Sequence, residues 1–418
     1  SLAYKVFQTE LLLKFIKISK DLIFYFSFFI LIFGTRESLL KRSFSFSFLD
    51  KLFLFFSLII IIYMIIPYGE ASFFSKVIYA KNLLIIPIVY SIGRNVKFDQ
   101  DFFKTFKKII SFLIIVSSLF AITEYIFSTH FHSLIDFSKY NFDINDIEST
   151  GNYGLSWSFE SQNVKPRFAA FFSNPLEYST SLIFLLSFIL YFYYYKINSS
   201  YLLYLVLIFI GFYLSFSRGA IFSALMVVFL SLIMEKKFKH LLSLVSFFII
   251  ASITIYFFSS EEFKFLINDT LSFRNTSSLG HLIEWLEGLI SIYENPLGIG
   301  LAMSGNAGGV DQSIKVGGEN QFLILGVQMG LLMLIVYILI LFKTLKKGIS
   351  MYYKSTGINK HLAFTVTLTK FGLILPLLTA NAELYLFVSL ISWFIVGNIE
   401  NQYQKNLKFV DNSFVNTT

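Results

Sequence analysis

The chain has 418 residues, of which 56% are hydrophobic and 14% are charged. A soluble domain needs far more polar surface, so this composition excludes a water-soluble globular protein. Cysteine is absent, which excludes disulfides, iron–sulfur clusters and thiol nucleophiles, and five histidines scattered singly argue against a dedicated zinc site. The formal net charge of +8 lies in short loops between apolar runs, where it sets membrane orientation and does not indicate nucleic-acid binding.

Apolar runs long enough to cross a bilayer recur along the whole chain. We predict about eleven helical spans, because alternating barrel strands would not give continuous apolar runs. The predicted spans are residues 22–34, 49–66, 73–92, 109–127, 171–195, 202–217, 220–234, 241–258, 322–342, 362–378 and 384–396. The sequence therefore predicts an all-α polytopic membrane protein, with residues 1–418 forming a single transmembrane domain.

Basic and acidic residues separate into two sets of loops that alternate along the chain. The basic set includes Arg94, Lys107, Lys236, Lys347 and Lys360. The acidic set includes Glu70, Glu160, Glu284, Glu319 and Glu383. Lysine-rich loops remain in the cytoplasm, so we expect the acidic loops to face outward and the C-terminus to be cytoplasmic.

The N-terminal segment does not follow this charge pattern. With an odd number of spans and a cytoplasmic C-terminus, Lys14, Lys17 and Lys20 fall on the outer side, against the positive-inside rule. We expect either that a first span precedes Ser1 or that the opening segment lies along the membrane surface.

Two outward loops, at about residues 128–167 and 259–320, are long enough to carry function. The second loop contains a pattern typical of an amphipathic helix on the membrane surface or packed against the ends of spans. Its apolar face is formed by Leu282, Trp285, Leu286, Leu289, Ile290 and Tyr293. The loop has no Walker-type phosphate-binding sequence, so nucleotide hydrolysis has no support.

Arg167 and Arg218 lie at the outer ends of predicted spans. An arginine fork suits phosphate oxygens better than a lysine does, although Arg167 could instead reach lipid headgroups and Arg218 a loop carboxylate. Burying an arginine in hydrocarbon costs roughly 2.5–3.5 kcal/mol, so Arg218 should face water or an anion, beside the N-terminus of the next helix. We expect both arginines to converge on one outer cavity.

Glu319 directly precedes the ninth of the predicted spans listed above, next to Asn320. It could stabilise the start of that helix through the helix dipole, or it could act as a general base. His281, at the start of the amphipathic helix, is a second candidate base, with helix capping as the structural alternative.

These segments resemble the family of O-antigen polymerases and O-antigen ligases, which are membrane glycosyltransferases. The resemblance is carried by residues 167–175, by Ser217-Arg218-Gly219-Ala220, by residues 280–300, and by Glu319-Asn320-Gln321-Phe322 leading to Met329-Gly330-Leu331. Three positions depart from the family: Ala170 where glycine is frequent, Leu176 after Pro175 where asparagine is common, and Glu319 where ligases have histidine. A carboxylate keeps general-base chemistry possible with a lower ordinary pKa, and favours polymerase over ligase.

The resemblance implies a GT-C-like helical bundle in the bacterial inner membrane, with its active site on the periplasmic face. The implied reaction transfers a growing glycan from undecaprenyl diphosphate to the sugar end of a lipid-linked repeat unit, without a metal or another cofactor. Arg167, Arg218 and Arg274 would bind the diphosphate, and Glu319 or His281 would act as the base. The implied partners are the lipid-linked oligosaccharide as donor and acceptor, the lipid bilayer, a chain-length regulator and a flippase, with no nucleic acid.

Two alternatives remain open. A ligase would use the same donor and transfer glycan to the lipid A core. A transporter of lipid-linked glycans, which is not an enzyme, would need ionisable groups along an internal path, whereas the arginines lie at the outer rim. Glu124 and Lys81 are the exceptions that lie within predicted spans.

Overall fold

The computed structural model describes residues 5, 15, 19, 22–30, 46–96, 98–145, 149–161, 165–195, 198–261, 264, 268, 272, 276–305, 310 and 314–415. In these ranges the chain is helical between turns and connecting segments and forms no strand, which confirms the all-α fold class. Four residues of the sequence-based hypotheses lie outside the described residues: Lys14, Lys17, Lys20 and Arg274. The predicted span 22–34 is described only as far as residue 30.

Fourteen α-helices are bounded in the described part of the chain. They are α1 (Phe48–Ile65), α2 (Phe73–Asn95), α3 (Gln100–Ile126), α4 (Phe131–Leu134), α5 (Phe137–Asn145), α6 (Pro175–Tyr195), α7 (Ser199–Ser215), α8 (Arg218–Met234), α9 (Phe238–Phe258), α10 (Thr276–Glu294), α11 (Gln321–Lys354), α12 (Gly357–Gly372), α13 (Ile374–Thr379) and α14 (Leu386–Val415). Short 3₁₀ turns form at Trp157–Phe159 and Ala382–Leu384.

Seven helical stretches are long and apolar enough to cross a membrane: α1, α2, α3, α6, α9, α11 and the continuous stretch Gly357–Thr379. The chain is therefore a multi-pass membrane protein. Helices α7 and α8 are apolar but have 17 residues each, slightly fewer than the roughly 20 that a perpendicular span needs. The predicted span 362–378 is divided into α12 and α13, and α11 continues to Lys354, beyond the predicted end at residue 342. The prediction of about eleven spans stays a prediction.

Helix α6 lies at the centre of the bundle. Within its apolar window 83% of the residues are buried, and it packs against α7, α8, α12 and α14. No residue in the corresponding window of α9 is buried, so its apolar side chains face outward as a lipid-exposed helix requires. The central position of α6 fixes its first turn, which carries part of the candidate site.

Helix α11 is interrupted at Met329 (φ −126°) and Gly330 (φ +80°). Backbone groups at the break are hydrogen-bonded by the loop that follows α10: Ile299 N to Val327 O at 2.8 Å, Gly300 N to Gln328 O at 3.1 Å, and Leu331 N to Pro296 O at 2.9 Å. Non-helical backbone inside a bundle needs such partners, because no water is there to replace them. The loop thus anchors the C-terminal end of α10 to α11.

We predict that Gly330→Ala weakens this anchor. A Cβ atom would lie 2.4 Å from the Pro296 carbonyl oxygen, and the left-handed backbone adds its own strain. We expect the free energy of unfolding to fall by about 1–3 kcal/mol, measured as a lower thermal midpoint in detergent. Gly357→Ala is the matched control, because φ is +59° there and no atom lies within 4 Å of the added Cβ. Equal losses in the two variants would contradict a role for the contact with Pro296.

Candidate functional site

A cavity of about 750 Å³ opens where several helix ends meet. Its walls are the first turns of α6 and α8, one side of α10, Glu319 two residues before α11, the end of α13 and the connection from α13 to α14. Trp157, Glu160 and Arg167 line it from the first long loop. Clefts of this size are typical of sites for small molecules and lipid headgroups.

Arg167 is held at the cavity wall by backbone contacts on both sides. Its N–H donates to the Phe159 carbonyl at 2.8 Å, and the next N–H, of Phe168, donates to Leu214 at the end of α7 at 3.1 Å. The Arg167 Nε also donates to the Ser215 carbonyl at 3.1 Å. Burial lowers the pKa of the Arg167 guanidinium to about 10, and the charge of Arg218 acts in the same direction, yet the group stays charged at neutral pH.

Glu124, near the end of α3, holds the segment that follows Arg167. Its carboxylate accepts from the N–H of Phe131 at 2.7 Å and from the N–H of Ala170 at 2.9 Å. Ala170 has φ +51°, a left-handed conformation that favours glycine and that the contact with Glu124 stabilises. Glu124 therefore stabilises the loop of Arg167, and these contacts do not require a role in transport.

Arg218 is the first residue of α8. The preceding helix ends at Phe216 in a left-handed conformation, and Ser217 makes no capping bond through its side chain. The exposed side chain of Arg218 lines the cavity together with Gly219 and Ala220. The helix dipole disfavours a cation at a helix N-terminus. An anion bound there is stabilised by the dipole and by the charge of Arg218 together.

The predicted convergence of Arg167 and Arg218 on one cavity is confirmed, since both side chains line its wall. The charge of Arg218 also acts on Arg167 and His281, which line the same cavity from the first and second long loops. Their role as diphosphate ligands stays a prediction.

Glu319 does not cap the helix that follows it. Asn320 is the N-cap of α11 and accepts from the N–H groups of Phe322 at 3.0 Å and Leu323 at 3.3 Å. The Glu319 carboxylate instead lies 3.0 Å from Nδ1 of His281. His281 lies in the second turn of α10, which begins at Thr276, so it does not cap that helix either. Both predicted bases therefore line the cavity as one pair.

Glu284 is a third member of this group that sequence reasoning missed. It follows His281 by three residues on α10, a spacing that places both side chains on one face and could have indicated it. Ligand atoms of His281, Glu284 and Glu319 all lie within 4.8 Å of one another. Burial raises the pKa of the Glu284 carboxyl, and the charge of Glu319 acts in the same direction. Gly318 leaves room for the Glu284 carboxylate next to the backbone before Glu319, because a Cβ atom on residue 318 would lie 2.8 Å from Glu284 Oε1.

The three side chains offer one imidazole and two carboxylates, a donor set that could hold a divalent cation. A proton competes with a metal for the same place. The hydrogen bond from His281 to Glu319 raises the pKa of His281 despite its burial, which favours the positively charged imidazolium beside the two carboxylates.

The predicted amphipathic helix is formed as α10. Leu286, Leu289, Ile290 and Tyr293 are exposed on it, with 87% of Tyr293 accessible, whereas His281 lines the cavity. Its placement at the membrane surface stays a prediction.

We predict that His281→Ala lowers stability more at low pH than at high pH. The folded pKa of His281 lies above the ordinary value of about 6.5, so the ion pair contributes fully below that value and is lost as pH rises through the raised pKa. The side chains are partly exposed, which limits the effect to about 1 kcal/mol or less. Thermal midpoints of wild type and His281→Ala in detergent, at pH about 6 and about 9, measure this loss of stability. His240→Ala, on the exposed start of α9, is the control, and a deficit of His281→Ala that is equal at both pH values would contradict the ion pair.

No protein-family model matches the chain. A search of curated proteins likewise finds no significant relative. The function proposed below therefore rests on the resemblance of sequence segments and on the side chains that meet in the cavity.

Proposed function

We propose that the protein is a polymerase of O-antigen or a similar surface polysaccharide. It would transfer a growing glycan from undecaprenyl diphosphate to the sugar end of a lipid-linked repeat unit. The observation that supports this most is a single cavity that brings together two arginines, Arg167 and Arg218, with the carboxylate–imidazole pair Glu319 and His281.

The proposed reaction needs one group to accept a proton and others to accept negative charge. The acceptor hydroxyl oxygen attacks the anomeric carbon of the donor, and the bond from that carbon to the phosphate oxygen breaks. The bonding electrons leave with the diphosphate, whose charge Arg167, Arg218 and the N-terminus of α8 stabilise. Glu319 takes the hydroxyl proton, and His281, whose Nδ1 lies 3.0 Å from the Glu319 carboxylate, orients it for this step.

The proposed donor is a membrane lipid, so the reaction would take place at the membrane surface. Polyprenyl tails would lie along the exposed apolar sides of the helices, with the cavity on the periplasmic face of the bacterial inner membrane and the C-terminus in the cytoplasm. Arg274 would be a third cation for the diphosphate. A flippase would supply the repeat units and a chain-length regulator would act on the product. No metal is needed for these steps, so we expect activity to persist in a chelator.

A ligase is the second candidate function. The observation that favours keeping it is the imidazole of His281 beside Glu319, because ligases of the resembled family have histidine at the position of Glu319. A ligase would use the same donor site and a lipid A core acceptor.

The decisive assay uses purified protein, a synthetic lipid-linked repeat unit, EDTA and no core acceptor. A ladder of lengthening products supports the polymerase. A single transfer that requires added lipid A core, without a ladder, would show the ligase instead. Movement of the lipid across reconstituted vesicles without any transfer would show a transporter. An Arg167→Ala and Arg218→Ala double variant controls for contaminating enzymes.

A further inference from the structure

Residues 380–385, which connect α13 to α14, form one wall of the cavity. Ala380 and Tyr385, at the two ends of this segment, both line the cavity. Between them the chain makes the 3₁₀ turn Ala382–Leu384, with Ala382 and Glu383 buried. The segment thus has one side on the cavity and the other inside the helical bundle.

Glu383 anchors this segment in the bundle. The charge pattern of the sequence assigns it to the outward acidic loops, and that side of the membrane stays a prediction. In the structure the residue is not on an exposed surface, because only 4% of it is accessible. Its carboxylate accepts from Tyr337 at 2.6 Å, from Ser389 at 2.8 Å and from Trp393 Nε1 at 2.9 Å. We call Glu383, Tyr337, Ser389, Trp393 and Lys370 the Glu383 network.

Lys370 supplies the opposite charge of this network. Its Nζ lies 3.7 Å from Glu383 Oε1, an ion-pair distance too long for a hydrogen bond, and 3.4 Å from the centre of the Trp393 ring. Removing two ions from water costs several kcal/mol each, so a buried pair persists only where contacts of this kind surround it. The network joins α11, α12 and α14 to the segment and makes its position well defined.

Tyr385 is fixed two residues beyond this anchor. Its N–H donates to the Ala382 carbonyl at 3.2 Å, and its own carbonyl accepts from Ser389 N at 3.1 Å. Tyr385 lines the same cavity as Glu319 and Arg167, the proposed base and one proposed diphosphate ligand. The charges of Glu319, Glu177 and Arg167 all act on its hydroxyl. Within the described part of the chain the hydroxyl makes no hydrogen bond, so it presents an unused donor to the cavity.

We propose that the Tyr385 hydroxyl is a further ligand of the diphosphate, donating to a phosphate oxygen beside Arg167, and that the Glu383 network positions it there. This inference rests on the proposed function, because it assumes a diphosphate in the cavity. A neutral donor adds a directed hydrogen bond as charge grows on the leaving group, without adding a further fixed cation to the arginines that already bind the product.

The first test is Tyr385→Phe, which removes one oxygen atom and keeps the ring. Farnesyl diphosphate is the probe, because it carries the diphosphate and a short prenyl chain but no sugar. We expect its dissociation constant to rise about 10-fold, as for a lost hydrogen bond to a charged group, and the turnover number for ladder formation to fall. Tyr293→Phe, on the exposed face of α10, should leave both unchanged. Unaltered affinity for farnesyl diphosphate in Tyr385→Phe would overturn the inference.

The second test separates positioning from folding. Glu383→Gln or Lys370→Met alone leaves an uncompensated buried charge and is expected to destabilise the protein, whereas the double variant removes both charges. In the folded double variant we expect weaker binding of farnesyl diphosphate, and no further loss when Tyr385→Phe is added. A double variant in which Tyr385→Phe still causes the full loss would overturn the positioning role.

The two proposals fail in different ways. Wild-type protein that binds farnesyl diphosphate through Tyr385 but makes no ladder would overturn the polymerase and keep the ligand assignment. Wild-type protein that makes a ladder while Tyr385→Phe binds and turns over normally would overturn the ligand assignment alone.

Discussion

Replacing Glu319 with glutamine is expected to lower the rate of glycan chain growth by roughly 100- to 10,000-fold, the usual effect of removing a general base. Glutamine has nearly the same shape but cannot take the proton of the attacking hydroxyl. Binding of farnesyl diphosphate should change little, because the arginines and the start of α8 carry it. Single-turnover assays with a synthetic lipid-linked repeat unit, together with equilibrium binding of the probe, measure both quantities.

The structure separates loss of the base in Glu319→Gln from two other effects, on the cap of α11 and on the ion pair with His281. Asn320 caps α11, so the substitution does not remove the helix cap. It does remove the ion pair with His281, which contributes about 1 kcal/mol or less and is measured separately by the thermal midpoint. Glu294→Gln, at the exposed C-terminal end of α10 and outside the cavity wall, is the matched control. A Glu319→Gln protein that still makes long polysaccharide in cells would exclude the base role and direct attention to His281.

Local features of the sequence predict much of the fold. Membrane helices satisfy their backbone groups internally, so a run of apolar residues predicts a helix without knowledge of its neighbours. The prediction that Arg167 and Arg218 share a cavity came from chemistry, because a single diphosphate needs cations that converge on one face. Glu284 lay within reach of the same reasoning, since its spacing from His281 on one helix face is local information.

Tertiary contacts determined what the sequence could not predict. In the sequence, Glu383 resembles any acidic residue of a loop. A helix break separates it from Lys370 along the chain, and only the folded structure brings the two to ion-pair distance. Tyr385 has no motif around it, and it is found on the cavity wall only through the tertiary contacts that surround residues 380–385. The break at Gly330 needs a partner loop from residues 296–300, and hydropathy carries no information about such a pairing.

Arg218→Lys is the second large effect, and we expect roughly 100-fold or more loss of chain growth, comparable to the removal of one donor from a charge-stabilising site. Lysine keeps the charge but loses the planar fork that can donate to two phosphate oxygens at once. Insertion and folding should be preserved, because Arg218 is exposed to the cavity at the first position of α8. Binding of farnesyl diphosphate should weaken with the rate, unlike in Glu319→Gln, so the two variants separate charge stabilisation from proton transfer.

Arg94→Lys is the matched control, because Arg94 also uses its fork but does not line the cavity. Its Nε and Nη2 donate to the two carboxylate oxygens of Asp50, each at 3.1 Å. Losing that fork should lower the thermal midpoint while leaving chain growth per folded molecule unchanged. Arg218→Lys should show the reverse, a normal midpoint with little activity. Near wild-type polymerisation by Arg218→Lys would mean that the guanidinium fork of Arg218 does not bind the diphosphate. The anion site would then consist of Arg167 and the N-terminus of α8.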